Sequence, residues 1–166
     1  MPTDEQEPPV AGPPPRSGPE RVADTLAKLR QPVVDVWVSS ASVSEDGSLQ
    51  PYVVPLSLAW IDDRVVLALE SDSRTARNIT RHRTARLGLG PTRDVVLIDA
   101  LLDDVIAVDD APERLAEGFA AQADWDPRTA GAGYVFLVLR PDRIQAWREV
   151  DELPGRTLMR SGAWIV

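Results

Sequence analysis

The 166-residue chain contains no cysteine and a single histidine, His82. The first absence excludes disulfides, thiol nucleophiles, thiolate zinc sites and iron–sulfur clusters. The second excludes multi-histidine metal sites and argues against a Ser-His-Asp nucleophile. His82 closes a basic segment and reads as a solvated residue at a helix C-terminus, where the dipole favours it. No apolar run approaches the ~20 residues that span a bilayer, and the N-terminus is acidic and proline-rich rather than a signal sequence. A soluble, cytoplasmic protein with no membrane partner is therefore expected. Positive charge is also scarce: 18 Lys and Arg against 26 Asp and Glu leave a formal net charge of -8. Such a surface repels phosphate backbones, so no nucleic-acid partner is expected.

What is present is enough for one packed domain, with 43% hydrophobic residues. Residues 1–19 carry Pro2, Pro8, Pro9, Pro13, Pro14, Pro15 and Pro19 and read as a disordered arm, either a spacer or a ligand for another domain. Residues 20–166 form the domain. Val22, Leu26 and Leu29 are spaced for one helical face beginning at Glu20, and Pro32 ends that helix. From residue 33 the period becomes two, giving a strand over 33–43. A hairpin loop at 44–48 follows, with Gly47 free to take positive φ. Further strands are expected at 49–60, 65–70, 85–90 and 95–108, the last bent around Asp103 and Asp104. Those two carboxylates point to opposite faces and make no catalytic pair. Residues 112–123 form an amphipathic helix with Leu115 and Phe119 inward. Strands at 134–139 and 144–148, broken at Pro141-Asp142, complete the sheet. Short hairpins, about six strands and few helices indicate a mainly β antiparallel barrel with added helices.

Residues 71–83 are a cationic island in this acidic chain. Ser73 is placed to cap a helix, and Arg74, Arg77, Asn78 and Arg81 would then share one face, with Ala76 and Ile79 turned to the core. A helix N-terminus offers free N–H groups and a positive dipole end, so with two arginines the corner suits a phosphate. The alternative is a solvated arginine face, whose surface ion pairs contribute only about 0–1 kcal/mol each. Pro55, inside the second strand, cannot donate to a ladder and marks an edge or a bulge. Neighbouring backbone at Val54, Leu56 and Ser57 could bond a ligand there, or the strand is a plain edge.

Several pieces, in this order, carry a resemblance: Asp35-Val36-Trp37-Val38, Asp46-Gly47, Tyr52-Val53-Val54-Pro55-Leu56, Ser73-Arg74-Thr75-Ala76-Arg77-Asn78, Asp124-Trp125-Asp126-Pro127 and Arg143-Ile144-Gln145-Ala146-Trp147-Arg148. From about Glu20 to Arg148 the chain resembles the FMN-binding split barrel. More narrowly it resembles the pyridoxamine 5'-phosphate oxidase-like proteins, including the branch that uses the deazaflavin coenzyme F-420. The resemblance implies a six-stranded antiparallel split β-barrel, a homodimer, and a cofactor, FMN or F-420, at the subunit interface. It sets the ring against Val53, Val54, Pro55, Leu56, Ser57, Ala68 and Leu69, and the phosphate on Ser73, Arg74, Arg77 and Asn78. Trp147 and Arg148 would reach the site from the partner chain, although a large aromatic there also suits plain interface core.

Thr75 stands where many relatives carry Lys, and Leu58 where true pyridoxamine-phosphate oxidases hold a substrate-binding Lys, so vitamin B6 oxidation is not expected. Arg81, Arg83 and Arg86 are available for the acidic tail of F-420 and tilt the choice toward it. Hydride transfer at a flavin needs little acid–base machinery, which fits the missing catalytic set. Tyr52 and Tyr134 are candidate proton donors to a small organic substrate. The leading expectation is a flavin- or deazaflavin-dependent oxidoreductase. A carrier or sensor of the same cofactor comes next, and an interaction module that has lost the ligand comes last.

Overall fold

The structure, a computed structural model, describes residues 14–166. Most of the proline-rich arm, residues 1–13, lies outside the described residues. Helix α1 (Gly18–Leu29) starts two residues before Glu20, because Ser17 and Glu20 form a reciprocal capping box that satisfies end N–H groups. Among the described residues no helix is long and apolar enough to cross a membrane.

Strands β1 (Val34–Val43), β2 (Leu49–Ile61) and β3 (Arg64–Glu70) follow as antiparallel neighbours, then helix α2 (Arg74–His82). Next come β4 (Thr84–Leu89), β5 (Val95–Ala107), α3 (Glu113–Ala123) and β6 (Tyr134–Trp147), with β7 (Thr157–Arg160) and β8 (Ala163–Trp164) last. Strand order β3-β2-β1-β4-β5-β6, with β3 also paired to β6, closes a six-stranded antiparallel barrel that β7 and β8 extend outside. The expected hairpin is there, with Gly47 at φ 83°. Val33, expected in the first strand, instead takes φ 53°, an unfavourable conformation for a β-branched residue. Gln122 of α3 holds this turn. Its carbonyl accepts from Val33 N at 2.7 Å, its side-chain amide donates to Leu29 and Gln31 carbonyls, and its Oε1 accepts from Trp60 N.

Valines 34, 36 and 38 of β1 point into the barrel with Leu58, Leu67 and Ile98. β3 is buried on both faces. Val65, Leu67 and Leu69 face the lumen, while Val66 and Ala68 lie under α3 with Phe119 and Phe136. Phe119 meets Trp125 edge-on at 5.6 Å, and Trp125 meets Tyr134 at 5.9 Å, so the Trp-Asp-Pro segment locks α3 onto the sheet. β6 is one strand rather than the expected two. Pro141-Asp142 is absorbed as a bulge, where the β5 register shifts between Asp99 and Ala100, and the Asp142 carbonyl accepts from Gly162 N. The bend expected near Asp103 is the second shift, between Leu102 and Asp104.

A buried ion cluster ties the start of the described chain to its last third. The Arg16 guanidinium donates to Glu152 at 2.8 and 3.0 Å and to Asp24 at 2.8 Å. Glu152, 3% exposed, also accepts from the backbone N–H groups of Arg16 and Arg148. The Arg16 bond, reinforced by those N–H groups, holds the Glu152 carboxyl at about 2. A carboxylate whose pKa falls on folding stabilises the native state above its unfolded value, and that contribution disappears as pH drops through the folded one. Acid unfolding should therefore show a stability loss between about pH 4.5 and 2. Glu152→Gln, which leaves Arg16 with Asp24 and Asp94 but removes its most buried carboxylate, should cost about 1.5–3 kcal/mol at pH 7 and remove that loss, as read by denaturant unfolding across pH.

Candidate functional site

The ladders are shorter than the strands, and two gaps result. β2 pairs with β3 only from Leu58↔Leu67 to Ile61↔Arg64, so residues 49–57 of β2 have β1 on one side alone. Pro55 sits in this half, which confirms an edge and explains how the strand tolerates a proline. β1 in turn pairs with β4 only from Trp37↔Gly88 to Ser39↔Arg86, so it leaves β4 beyond Ser39. The β1–β2 arm therefore projects from the barrel with both outer edges free of sheet partners.

Helix α2 wedges against this arm. Ser73 caps it as expected, accepting from Ala76 N at 3.2 Å, and Arg83 ends it in the left-handed region at φ 61°. Ala76 and Ile79 enter the barrel core. Asn78 does not share the arginine face: it is 5% exposed and donates to Ser40 Oγ of β1 at 3.1 Å. Thr75 is buried as well. Arg74 lies over the Tyr52 ring, 4.7 Å from its centroid, and reaches Ser42 Oγ at 3.4 Å. The Arg77 guanidinium bonds the Asp72 carbonyl. Neither arginine has a carboxylate within 4 Å among the described residues, so both charges remain available at a helix N-terminus.

The second gap is a cavity of about 450 Å³. Ser39, Ser40, Ala41, Val43 and Leu49 of the arm line one side, and Thr84, Ala85, Arg86, Asp99 and His82 line the other. Ser40 belongs to both places, lining the cavity and holding Asn78. Two arginines at a helix N-terminus and a largely apolar slot thus adjoin along one strand.

Of the residues expected at the site, Ser73, Arg74, Arg77 and Asn78 gather around the arm that also carries Val53, Val54, Pro55, Leu56 and Ser57. Val53 and Pro55 are exposed, whereas Leu56 packs against the core. The side chains of Ala68 and Leu69 are buried at 5% and 6%, so their backbone edge alone is turned to the gap where β2 has left β3. Trp147 and Arg148 lie at the opposite end of the barrel, where Trp147 pairs with Val95, and do not meet the seat within one chain. Arg148 is drawn to Asp94 and Asp24 at 3.5 and 3.6 Å. Arg83 and Arg86 are also committed. Arg83 donates to the Leu102 carbonyl at 2.6 Å, and Arg86 pairs with Asp99 at 2.5 Å. Ser40, Ser42 and the cavity wall were missed. The signal for them was the switch from valine to serine at alternate positions within one strand.

The sequence matches no protein-family model and no curated protein. Solved structures do match. An F420 reductase aligns over 71% of this chain and 93% of its own, at 17% identity and a TM-score of 0.54. A putative pyridoxamine 5'-phosphate oxidase from Listeria innocua aligns over 76% and 98%, at 16% identity and 0.55. A heme binding protein from Mycobacterium smegmatis covers 92% of this chain, which spans 60% of that one, at 16% identity and 0.58. The chain has their split-barrel fold. At such identities the likeness establishes the fold alone.

The wedge depends on a buried polar tie, and that makes it testable. Asn78→Leu should destabilise the protein by about 1–2 kcal/mol in denaturant unfolding, because Ser40 loses its partner inside the fold. It should also free α2, seen as faster amide exchange at residues 74–82 than in the β3–β6 ladder.

Proposed function

We propose that this chain is a homodimeric oxidoreductase that binds FMN or a deazaflavin and transfers a hydride between that cofactor and a small organic substrate. One observation carries the reading: the unpaired arginines at the N-terminus of α2 adjoin an apolar cavity on the same strand. A flavin-type cofactor has those two parts, a phosphate on a flexible chain and an apolar ring system. The donor set fits one phosphate, with Arg74 fixed over Tyr52, Arg77 beside it, and first-turn N–H groups free of intrahelical partners. Arg86 is paired with Asp99, while Arg81 and Arg83 have no carboxylate within 4 Å among the described residues, so cations for an acidic tail stand beside the seat and suit either coenzyme.

When bound, the cofactor supplies the redox chemistry; the protein supplies binding, orientation and exclusion of water. Arg74 and Arg77 would hold the phosphate, while Ala41, Val43, Leu49 and Ala85 would keep the ring face dry. Asp99 is tied to Arg86, so His82 is the titratable side chain left to hold or give a proton at the cavity mouth. That thin equipment is also what a carrier of the same cofactor would need, which is the second reading.

Dimerisation rests on the outer face of β1, β2 and β4. Trp37 is 59% exposed and Val53 54%, next to Pro55, with Trp37 paired opposite Pro55 on β2 and Gly88 on β4. An apolar patch of this kind on a soluble surface marks an interface. A twofold there would let Trp147 of each chain serve the other's seat.

Absorbance and fluorescence titrations with FMN, F-420 and, as a control for iron ligation by His82, hemin test the binding. Saturation near one FMN or F-420 per chain is expected, weakened about tenfold or more by Arg74→Ala with Arg77→Ala. Reduction and reoxidation of the bound cofactor by an added acceptor separates enzyme from carrier. Binding of hemin alone, or of none of the three, rejects the proposal.

The subunit arrangement is checked separately. Light scattering should give twice the chain mass of 18.2 kDa, and Trp37→Asp should reduce it to one chain without unfolding.

A further inference from the structure

Strand β2 holds two prolines, Pro51 and Pro55, and the ladders fix which way both of them face. Asp62 and Asp63, at φ 50° and 57°, make the two-residue turn into β3, so the Ile61 carbonyl points toward Arg64 and β3. Backbone groups alternate in direction along a strand, and no register shift interrupts the β1–β2 ladder. Residues 51, 53, 55 and 57 therefore turn their backbone groups to the side of β3, and there the partner strand is missing. The even residues face the opposite way: Trp60 N–H, beyond the first residue of β1, is taken by Gln122 Oε1 at 2.8 Å. Both prolines thus aim their missing N–H at the open side. Between 51 and 57 that side keeps four carbonyls but only the N–H groups of Val53 and Ser57.

In other respects this edge is a template for strand pairing. Helix α2 covers the arm only in part, and Leu49, Pro51, Val53 and Pro55 are exposed. Charged residues make up 27% of the chain, yet none of the 13 residues of β2 carries a charge. Lysines, bulges or brevity protect the edge strands of many proteins, and β2 has none of these. A long, uncharged edge rich in β-branched and aromatic residues pairs readily with a copy of itself. A proline opposes that in two ways, by lacking the donor and by filling the donor's place with its ring. When two such edges meet antiparallel with Val53 at the centre, Pro51 of one copy faces Pro55 of the other. Both hydrogen bonds of that pair are then lost, on either side of the centre.

We propose that Pro51 and Pro55 together guard this edge: they stop it from adding the same edge of a second copy of the chain, and so hold the assembly at a finite size. Neither residue need touch a ligand to do this, and the role stands whether or not the cavity takes a flavin. With both prolines replaced, residues 49–57 of two copies pair across the open side of β2.

Light scattering and amide exchange on the full chain test the guard. Pro51→Val with Pro55→Val should give a mass at least double that of wild type at the same concentration, falling back on dilution. Exchange at the Val53 amide should slow about tenfold or more. Pro51→Gly with Pro55→Gly restores the same two N–H groups without new side chains, and should gain mass as well. Adding Val53→Pro to the valine pair removes a donor from the centre of the pairing, so the extra mass should disappear. An unchanged mass in both double variants overturns the proposal. So does a mass gain that Val53→Pro fails to reverse, or one without slower exchange at Val53, since either would mark loss of folding rather than strand pairing.

Discussion

Barrel closure is the constraint from which the other features follow. β3 and β4 are short, 7 and 6 residues, while β2, β5 and β6 run to 13, 13 and 14. A closed sheet needs every strand paired on both sides, so the short members limit how far the barrel can extend. Wherever a long strand outruns a short neighbour, its backbone edge is released. β2 outruns β3, and α2 fills part of that opening. β1 outruns β4, and a cavity forms between them. β6 outruns β3, and β7 takes its other half. The N-terminus of α2 and the cavity both lie where a ladder stops.

Charge is arranged by the same logic. Over the barrel wall arginines are neutralised locally: Arg64 and Arg140 share Asp103, Arg86 holds Asp99, and Arg114 bonds Asp62. Such exposed pairs contribute little to stability individually, but they cancel positive potential. Around Glu152 and Asp94 the pairing is buried, and there it fixes the relative positions of α1 and the end of β6. Among the described residues Arg74, Arg77, Arg81 and Arg83, on α2 and at its end, have no carboxylate within 4 Å, and neither do Arg21, Arg30, Arg156 and Arg160. Four such cations along one short helix of an acidic protein concentrate positive potential there.

Local patterns made much of this legible. Alternation in residues 34–43, the continuous apolar run at 65–69, the Asp-Gly turn and the Ser73 cap are dictated by nearest-neighbour geometry, and each appears close to where the sequence placed it. Pro55 was informative for a physical reason, since a residue without an N–H is tolerated where a strand has lost one partner. Pro141 misled for a related reason. It reads as a break, yet the sheet absorbs it as a bulge at the point where β6 changes partners from β3 to β7. Asn78 defeated helical-wheel reasoning, because polarity suggested the solvent face while Ser40, distant in sequence, offered a buried partner. The short β7 and β8 and the commitment of Arg83 to the Leu102 carbonyl depend on contacts between distant segments, which no local period reports.

Low identity with a retained fold is what such a design permits. A cofactor that carries its own redox chemistry asks three things of a protein: an anion seat, an apolar slot and a rigid frame that sets their separation. The frame comes from closure and alternation, which many sequences satisfy, and the slot is lined as much by strand edges as by particular side chains. On the proposed function the anion seat alone needs defined chemistry, and it would reduce to a capping serine and two arginines on one helical turn. The F420 reductase shares the fold at 17% identity, so the barrel survives the replacement of most side chains.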